Sequence, residues 1–319
     1  MVGAEIGDEE KMKASYFEQH GGPEVLTYGD LPDPEPAAGE VIVDIHAASV
    51  NGADWKVRAG GTYGEIESFP YILGRDFSGV VATLGEGAGD FAVGDPVFGV
   101  CERGQEGTYA EKIAMDQALC ASKPDSMPHI DAACLSLTGL TAIISVEETL
   151  QLKAGEKILI QGGAGGVASF AIELAKHIGA HVITTCSARN MDYVRGLGAD
   201  EVIDYGAQDF TEIVTDCDAV FETVGGDVTL KSFSVLKPGG RLAAIASGMQ
   251  APPSPRDDVE SLRPAVGRDR KYMERIVKLY EAGVVHTQPV TVYSLENAVE
   301  THRVSESRHL QGKLVFQVR

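Results

Sequence analysis

The sequence predicts an α/β chain in two parts: a β-rich, barrel-like region over 12–130, then a doubly wound, parallel α/β region from about 131. Three observations predict it. Short strand-like runs separated by Gly- and Pro-rich turns fill the first part. Strand-length and helix-length segments alternate in the second. Within that second part, Gly163-Ala164-Gly165-Gly166-Val167-Ala168 joins an apolar run to a helix-like one.

In the first region the strand candidates are Val41–Ile45, Val80–Leu84 and Pro96–Val100, with Pro-Ala-Ala-Gly-Glu and Gly-Glu-Gly-Ala-Gly-Asp as turns. In the second they are 157–161, 181–185, 201–203, 218–224 and 240–246, with helices between them and another over 267–282. After Gly283 the chain becomes strand-like again at Gln288–Val292 and Lys313–Val318, so 285–319 reads as a return to the first domain. Residues 1–11 read as a poorly ordered extension before Met12. The run Ala251-Pro252-Pro253-Ser254-Pro255 reads as a flexible loop, with covering a cofactor and sitting at an interface both open.

The glycine-rich turn has the form G-x-G-x-x-A, a dinucleotide-binding Rossmann turn when it sits between strand and helix. Gly163 lets the chain turn out of the strand. Gly165 lets backbone approach a pyrophosphate, and the small Ala168 lets the helix pack on the sheet. Gly166 and Val167 supply the first free N–H groups, at the positive end of the helix dipole. Val167, Phe170, Ala171, Leu174, Ala175 and Ile178 then form an apolar stripe.

Composition excludes several classes. A net charge of −20 argues against nucleic acid and anionic membranes as partners. No stretch of about 18 uninterrupted apolar residues exists, so no membrane span is expected, and the first residues lack a signal-peptide core. The 5 cysteines are scattered, which fits reduced thiols in a cytoplasmic protein.

An NAD site usually places an acid at the end of the second strand. Here that strand runs into Thr185-Cys186-Ser187-Ala188-Arg189-Asn190. Ser187 and Arg189 suit a 2′-phosphate, so NADPH is the expected cofactor, with Arg189 as an ordinary loop charge the alternative.

Several segments together resemble the zinc-independent quinone oxidoreductase (zeta-crystallin-like) branch of the medium-chain dehydrogenase/reductases. They are Ala48–Arg58, Gly74-Arg75-Asp76-Phe77-Ser78-Gly79, Leu137–Ala142, Gln161–Ala168, Leu197–Tyr205 and Gly312-Lys313. The resemblance implies a GroES-like catalytic domain plus a Rossmann domain, with the cofactor in the cleft between them, and a homodimer. It also implies cofactor roles for Ser187, Arg189, Asn190, Tyr205 and Lys313. Thr223 and Val224 join them as residues at the carboxyl edge of the sheet.

Zinc-dependent relatives place their ligands at positions that fall here on Asn51, Arg75 or Asp76, and Cys134; one thiol cannot hold zinc. Without a metal, the expected chemistry is NADPH-dependent hydride transfer to a quinone or an α,β-unsaturated carbonyl. Lys56 and Asn51 are the candidate donors to the acceptor's carbonyl oxygen, and Tyr63 a pocket residue. A surface charge, a turn residue and loop packing are the respective alternatives. An enoyl-thioester reductase and a non-catalytic NADPH-binding protein remain as rival functions.

Overall fold

The structure is a computed structural model that describes residues 10–60, 66–102 and 104–319. The chain forms two compact units. The first holds the described residues up to Ala133 with Val292–Arg308 and Leu314–Arg319. The second holds Cys134–Thr291 and His309–Lys313.

In the first unit, β1 (Lys11–Phe17) pairs antiparallel with β2 (Thr27–Pro32). The main sheet is built on β3 (Glu40–Val50), which is followed directly by α1 (Gly52–Arg58). The short β4 (Tyr71–Ile72) pairs with β1. Then come β5 (Asp76–Leu84), β6 (Pro96–Val100), β7 (Lys112–Asp116) and β8 (Cys120–Ser122). β3 pairs antiparallel with both β5 and β7. Val41, Val43 and Ile45 alternate along β3 into a core shared with Phe77, Val81, Val97 and Met115. This is the β-rich GroES-like architecture. Of the segment read as an extension over 1–11, residues 10 and 11 lie in described, paired structure. Lys11 already pairs with Pro32, and Asp33 donates its N–H to the Glu10 carbonyl at 3.0 Å.

The chain passes through α2 (His129–Ile143) and a π-helical turn, Ile144–Thr149, into the second unit. Its elements are β9 (Lys157–Ile160), α3 (Gly166–Ile178), β10 (His181–Cys186), α4 (Met191–Gly196), β11 (Glu201–Asp204) and β12 (Cys217–Glu222). α5 (Asp227–Ser232), β13 (Leu236–Ala244), β14 (Glu260–Leu262) and α6 (Arg270–Glu281) follow. The six strands are parallel in the order β11-β10-β9-β12-β13-β14. The order reverses between β9 and β12, which is where a doubly wound sheet opens a crevice at its carboxyl edge. β14 was not read from the sequence; three residues, Glu-Ser-Leu, carry no period.

The last part of the chain is β15 (Val290–Tyr293), α7 (Ala298–Glu306) and β16 (Lys313–Gln317). Leu314–Gln317 of β16 pair with β3, but residues 285–291 and then His309–Lys313 lie with the second unit, unlike the uniform return read over 285–319. Backbone bonds cause this. Gly312 donates to the Ala164 carbonyl and Lys313 to the Pro289 carbonyl, each at 2.9 Å. Gly312 is at φ +74°, and a side chain there would strike the Pro289 carbonyl oxygen at 1.9 Å.

Candidate active site

The glycine turn lies at the sheet's reversal point. Its left-handed residue is Gly162, at φ +73°, so the tight turn expected at Gly163 belongs one residue earlier. Gly163 is needed for space: a Cβ there would lie 2.3 Å from Thr184 Oγ1. Gly165 caps α3, and the nearest atom to a Cβ built on it is the Gly162 carbonyl oxygen at 3.4 Å. The first intrahelical bond of α3 is Ser169 N–H to the Gly165 carbonyl, at 2.8 Å. The N–H groups of Gly166, Val167 and Ala168 precede it and form the anion-binding end of the helix. Without a side chain at Gly165 the approach to these N–H groups stays open, so the residues present fit a dinucleotide.

α3 is buried more fully than its apolar stripe suggested. Residues 168–175 are all buried, whereas Val167 and Ile178 are not. Two buried polar side chains explain the excess, because each is satisfied. Ser169 Oγ donates towards the Gly165 and Gly163 carbonyls at 2.9 and 3.1 Å, and accepts from Tyr193 Oη at 3.1 Å. Glu173 accepts from His286 N–H at 3.0 Å and lies 2.7 Å from its Nδ1. Burial holds the Glu173 carboxyl above its ordinary range.

Around the turn the expected cofactor residues fall into two groups. Thr223 follows β12 directly, and its Oγ1 donates to the Gln161 carbonyl at 2.7 Å. Val224 Cγ2 lies 3.1 Å from a Cβ built on Gly162. Lys313 is buried, and its aliphatic stem comes within 2.9 Å of a Cβ built on Gly166. The other group sits past the ends of β10 and β11. Asn190 Nδ2 donates to Ser187 Oγ at 3.2 Å, and Arg189 is exposed and donates to the His309 carbonyl. Tyr205 is exposed beside them, its N–H bound to the Cys186 carbonyl at 3.1 Å. An acid does stand nearby, Asp204 at the end of β11, but its Oδ1 accepts from Gly206 N–H at 2.9 Å.

Sequence reasoning missed the network that fixes this edge. Gln161 accepts from Thr185 Oγ1 at 2.6 Å and donates to Ser232 Oγ at 3.0 Å. The fully buried Glu222 accepts from Val224 N–H, Gly225 N–H and Thr229 Oγ1 at 2.7–2.8 Å. The available signal was a polar residue closing an otherwise apolar strand, once at Gln161 and once at Glu222.

In the first unit Asn51 is the N-cap of α1, and its side chain is already engaged. Nδ2 donates to Asp76 Oδ1 at 3.1 Å, and Ser49 Oγ donates to the same carboxylate at 2.8 Å. Lys56 is half-buried, its Nζ 5.6 Å from the Trp55 ring centre. Arg308 covers the same ring at 5.7 Å. Tyr63 lies outside the described residues. The far end of α1 is anchored by buried Arg58, which donates to the Gly21 carbonyl at 3.1 Å, to His302 Nδ1 at 2.9 Å and to Glu306. Burial, with Arg58 beside it, pushes the His302 imidazole down to about 3.

The positions that hold zinc in metal-dependent relatives are otherwise occupied. Asp76 is bound by Ser49 and Asn51, Arg75 pairs with Glu106, and Cys134 Sγ donates to Gln288 Oε1 at 3.0 Å. Among the described residues no group of three or more His, Cys, Asp or Glu could hold a metal ion.

A glycine turn at the reversal point of a six-stranded parallel sheet, with an antiparallel β-rich unit before it, defines a dinucleotide-dependent oxidoreductase architecture. Comparison with known proteins makes the class specific. The alcohol dehydrogenase GroES-like domain family matches residues 37–125, and the zinc-binding dehydrogenase family matches 197–316. The chain is 31% identical to the chloroplastic NADPH-dependent alkenal/one oxidoreductase of Arabidopsis thaliana, over 98% of this chain and 81% of that one. It superimposes on the quinone oxidoreductase of Coxiella burnetii with TM-score 0.90 and 33% identity, covering 97% of this chain and 100% of the other. It superimposes on Escherichia coli quinone oxidoreductase complexed with NADPH with TM-score 0.87 and 26% identity, covering 96% and 99%. The chain belongs to the quinone oxidoreductase branch of the medium-chain dehydrogenase/reductase superfamily.

Proposed function

We propose that this protein reduces quinones or α,β-unsaturated carbonyls with NADPH, without a metal. The observation that carries the reading is the open Gly165 cradle with Lys313 packed beside it, at the switch point of the sheet. Gly166, Val167 and Ala168 present N–H groups to the pyrophosphate, and Lys313 adds positive charge beside them. Ser187 and Arg189 bind the 2′-phosphate, with Asn190 fixing Ser187 and Tyr205 flanking the adenine ribose. Thr223 and Val224 shape the edge of the turn. When bound, NADPH supplies a hydride.

The acceptor carbonyl gains negative charge as hydride arrives. Lys56, a half-buried ammonium on α1, stabilises that oxygen by donating a hydrogen bond. Asn51 donates its amide to Asp76 and caps the helix that carries Lys56, so in this reading it acts by holding that helix.

The reading is tested by following NADPH oxidation against a panel of quinones, alkenals and enoyl thioesters. Turnover of quinones or alkenals is expected, with Lys56→Ala losing roughly 100-fold in kcat/KM, the cost of removing one transition-state donor. Tight NADPH binding with no turnover of any acceptor would overturn it.

A further inference from the structure

We infer that Asp54 is a positioning residue: its carboxylate clamps the first turn of α1, the element that carries Asn51 and Lys56. The catalytic half of this inference rests on the function proposed above; the structural half rests on geometry alone.

Asp54 is fully buried at the N3 position of α1. Its Oδ2 accepts two hydrogen bonds, from Asn51 backbone N–H at 2.8 Å and from Tyr109 Oη at 2.7 Å. The first closes a capping box on α1. The second ties the helix to Tyr109, itself fully buried against Phe316 and His302. Oδ1 makes no hydrogen bond and faces Arg75 Nε at 3.5 Å. Arg75 also pairs with Glu106, which in turn binds Tyr71. The charged and titratable groups around Asp54 are therefore Arg75, Glu106 and Tyr109, with Asp76 and His302 against Tyr109.

A buried carboxylate among these groups serves α1 only while it is ionised, because the N–H, the Tyr109 hydroxyl and Arg75 all favour the charged form. Burial is the opposing influence, and it pushes the Asp54 carboxyl up to about 7. Protonation dismisses the Arg75 pairing and weakens both hydrogen bonds, which loosens the turn that sets Asn51 and Lys56. The neighbouring residue reports on this directly. Trp55 is the chain's single tryptophan, and it sits on the same turn under Lys56 and Arg308.

The experiment is a titration of Trp55 emission from about pH 5 to about pH 9 in the full-length wild-type protein and in Asp54→Asn, alongside kcat over the same range. The wild type is expected to show one transition near neutrality in both signals, with kcat falling on the acid side. Asp54→Asn should lack the transition and resemble the low-pH wild type. Asp54→Ala, which removes both acceptors, should lose roughly 100-fold in kcat, as for a misplaced catalytic group, with KM for NADPH changed less than about twofold. Asp54→Asn should recover part of that loss, because its amide oxygen still accepts from Asn51 N–H and Tyr109. Should Asp54→Ala not fold, Tyr109→Phe keeps the test open; it deletes one bond to the ionised form and should move the Trp55 midpoint to higher pH. A Trp55 emission flat across this range in the wild type, or the same midpoint in Asp54→Asn, would overturn the assignment. If the wild type reduces no acceptor at all, the functional reading fails, while the Trp55 titration still decides whether Asp54 clamps α1.

Discussion

In the proposed reading, Arg189 bears the choice between NADPH and NADH. It stands past the end of β10, exposed, with one N–H given to the His309 carbonyl. That bond fixes one edge of the guanidinium, and Asn190 Nδ2 donates to the Ser187 hydroxyl oxygen at 3.2 Å. Charge-assisted hydrogen bonds contribute about 1.5–3 kcal/mol. Arg189→Ala should therefore weaken NADPH binding by about 10- to 100-fold and leave NADH nearly unchanged, read as dissociation constants from the quenching of cofactor fluorescence. Equal losses for both cofactors would remove Arg189 from the 2′-phosphate site. Ser187 and Arg189 stand out in the sequence because no acid stands at the end of that strand. The engagement of Asn51 by Asp76 was not, since the two are 25 residues apart in sequence and meet only through the pairing of β3 with β5.

At the scale of elements, the β9–turn–α3 unit separates two uses of glycine. Gly163 serves packing, and in the proposed reading Gly165 serves the ligand. Gly163→Ala drives a methyl into Thr184 Oγ1, and overpacking of this kind costs about 1–3 kcal/mol. It should lower the thermal midpoint. Gly165→Ala meets only the Gly162 carbonyl oxygen at ordinary contact distance, so it should leave the thermal midpoint close to wild type while weakening NADPH binding. Melting curves with and without NADPH check both outcomes; a large loss of stability in Gly165→Ala would contradict the division. The strands of this unit were legible because β9, β10 and β12 are short apolar runs bounded by turn residues. β14 and the Gln161–Glu222 network were not. A three-residue edge strand has no period, and a buried polar network is set by tertiary packing rather than by local pattern.

Across the whole molecule, the two-part organisation was visible in texture, Gly- and Pro-rich first and alternating afterwards. The seam in the C-terminal segment was not. His309–Lys313 belong to the second unit because a single glycine, Gly312, adopts a conformation that lets its N–H reach the Ala164 carbonyl. The same bond brings Lys313 to the glycine turn, so one backbone contact determines both the fold boundary and the place of a residue proposed to hold the cofactor. The claim that unites these observations is metal-free hydride transfer from NADPH to carbon. It is tested most directly with NADPH doubly deuterated at the nicotinamide C4 and a simple enone, using protein dialysed exhaustively against a chelator. The account expects full activity and one deuterium at the β-carbon of the saturated product, by mass spectrometry and NMR. A product carrying only protium, or activity lost on chelation and restored by zinc, would contradict it.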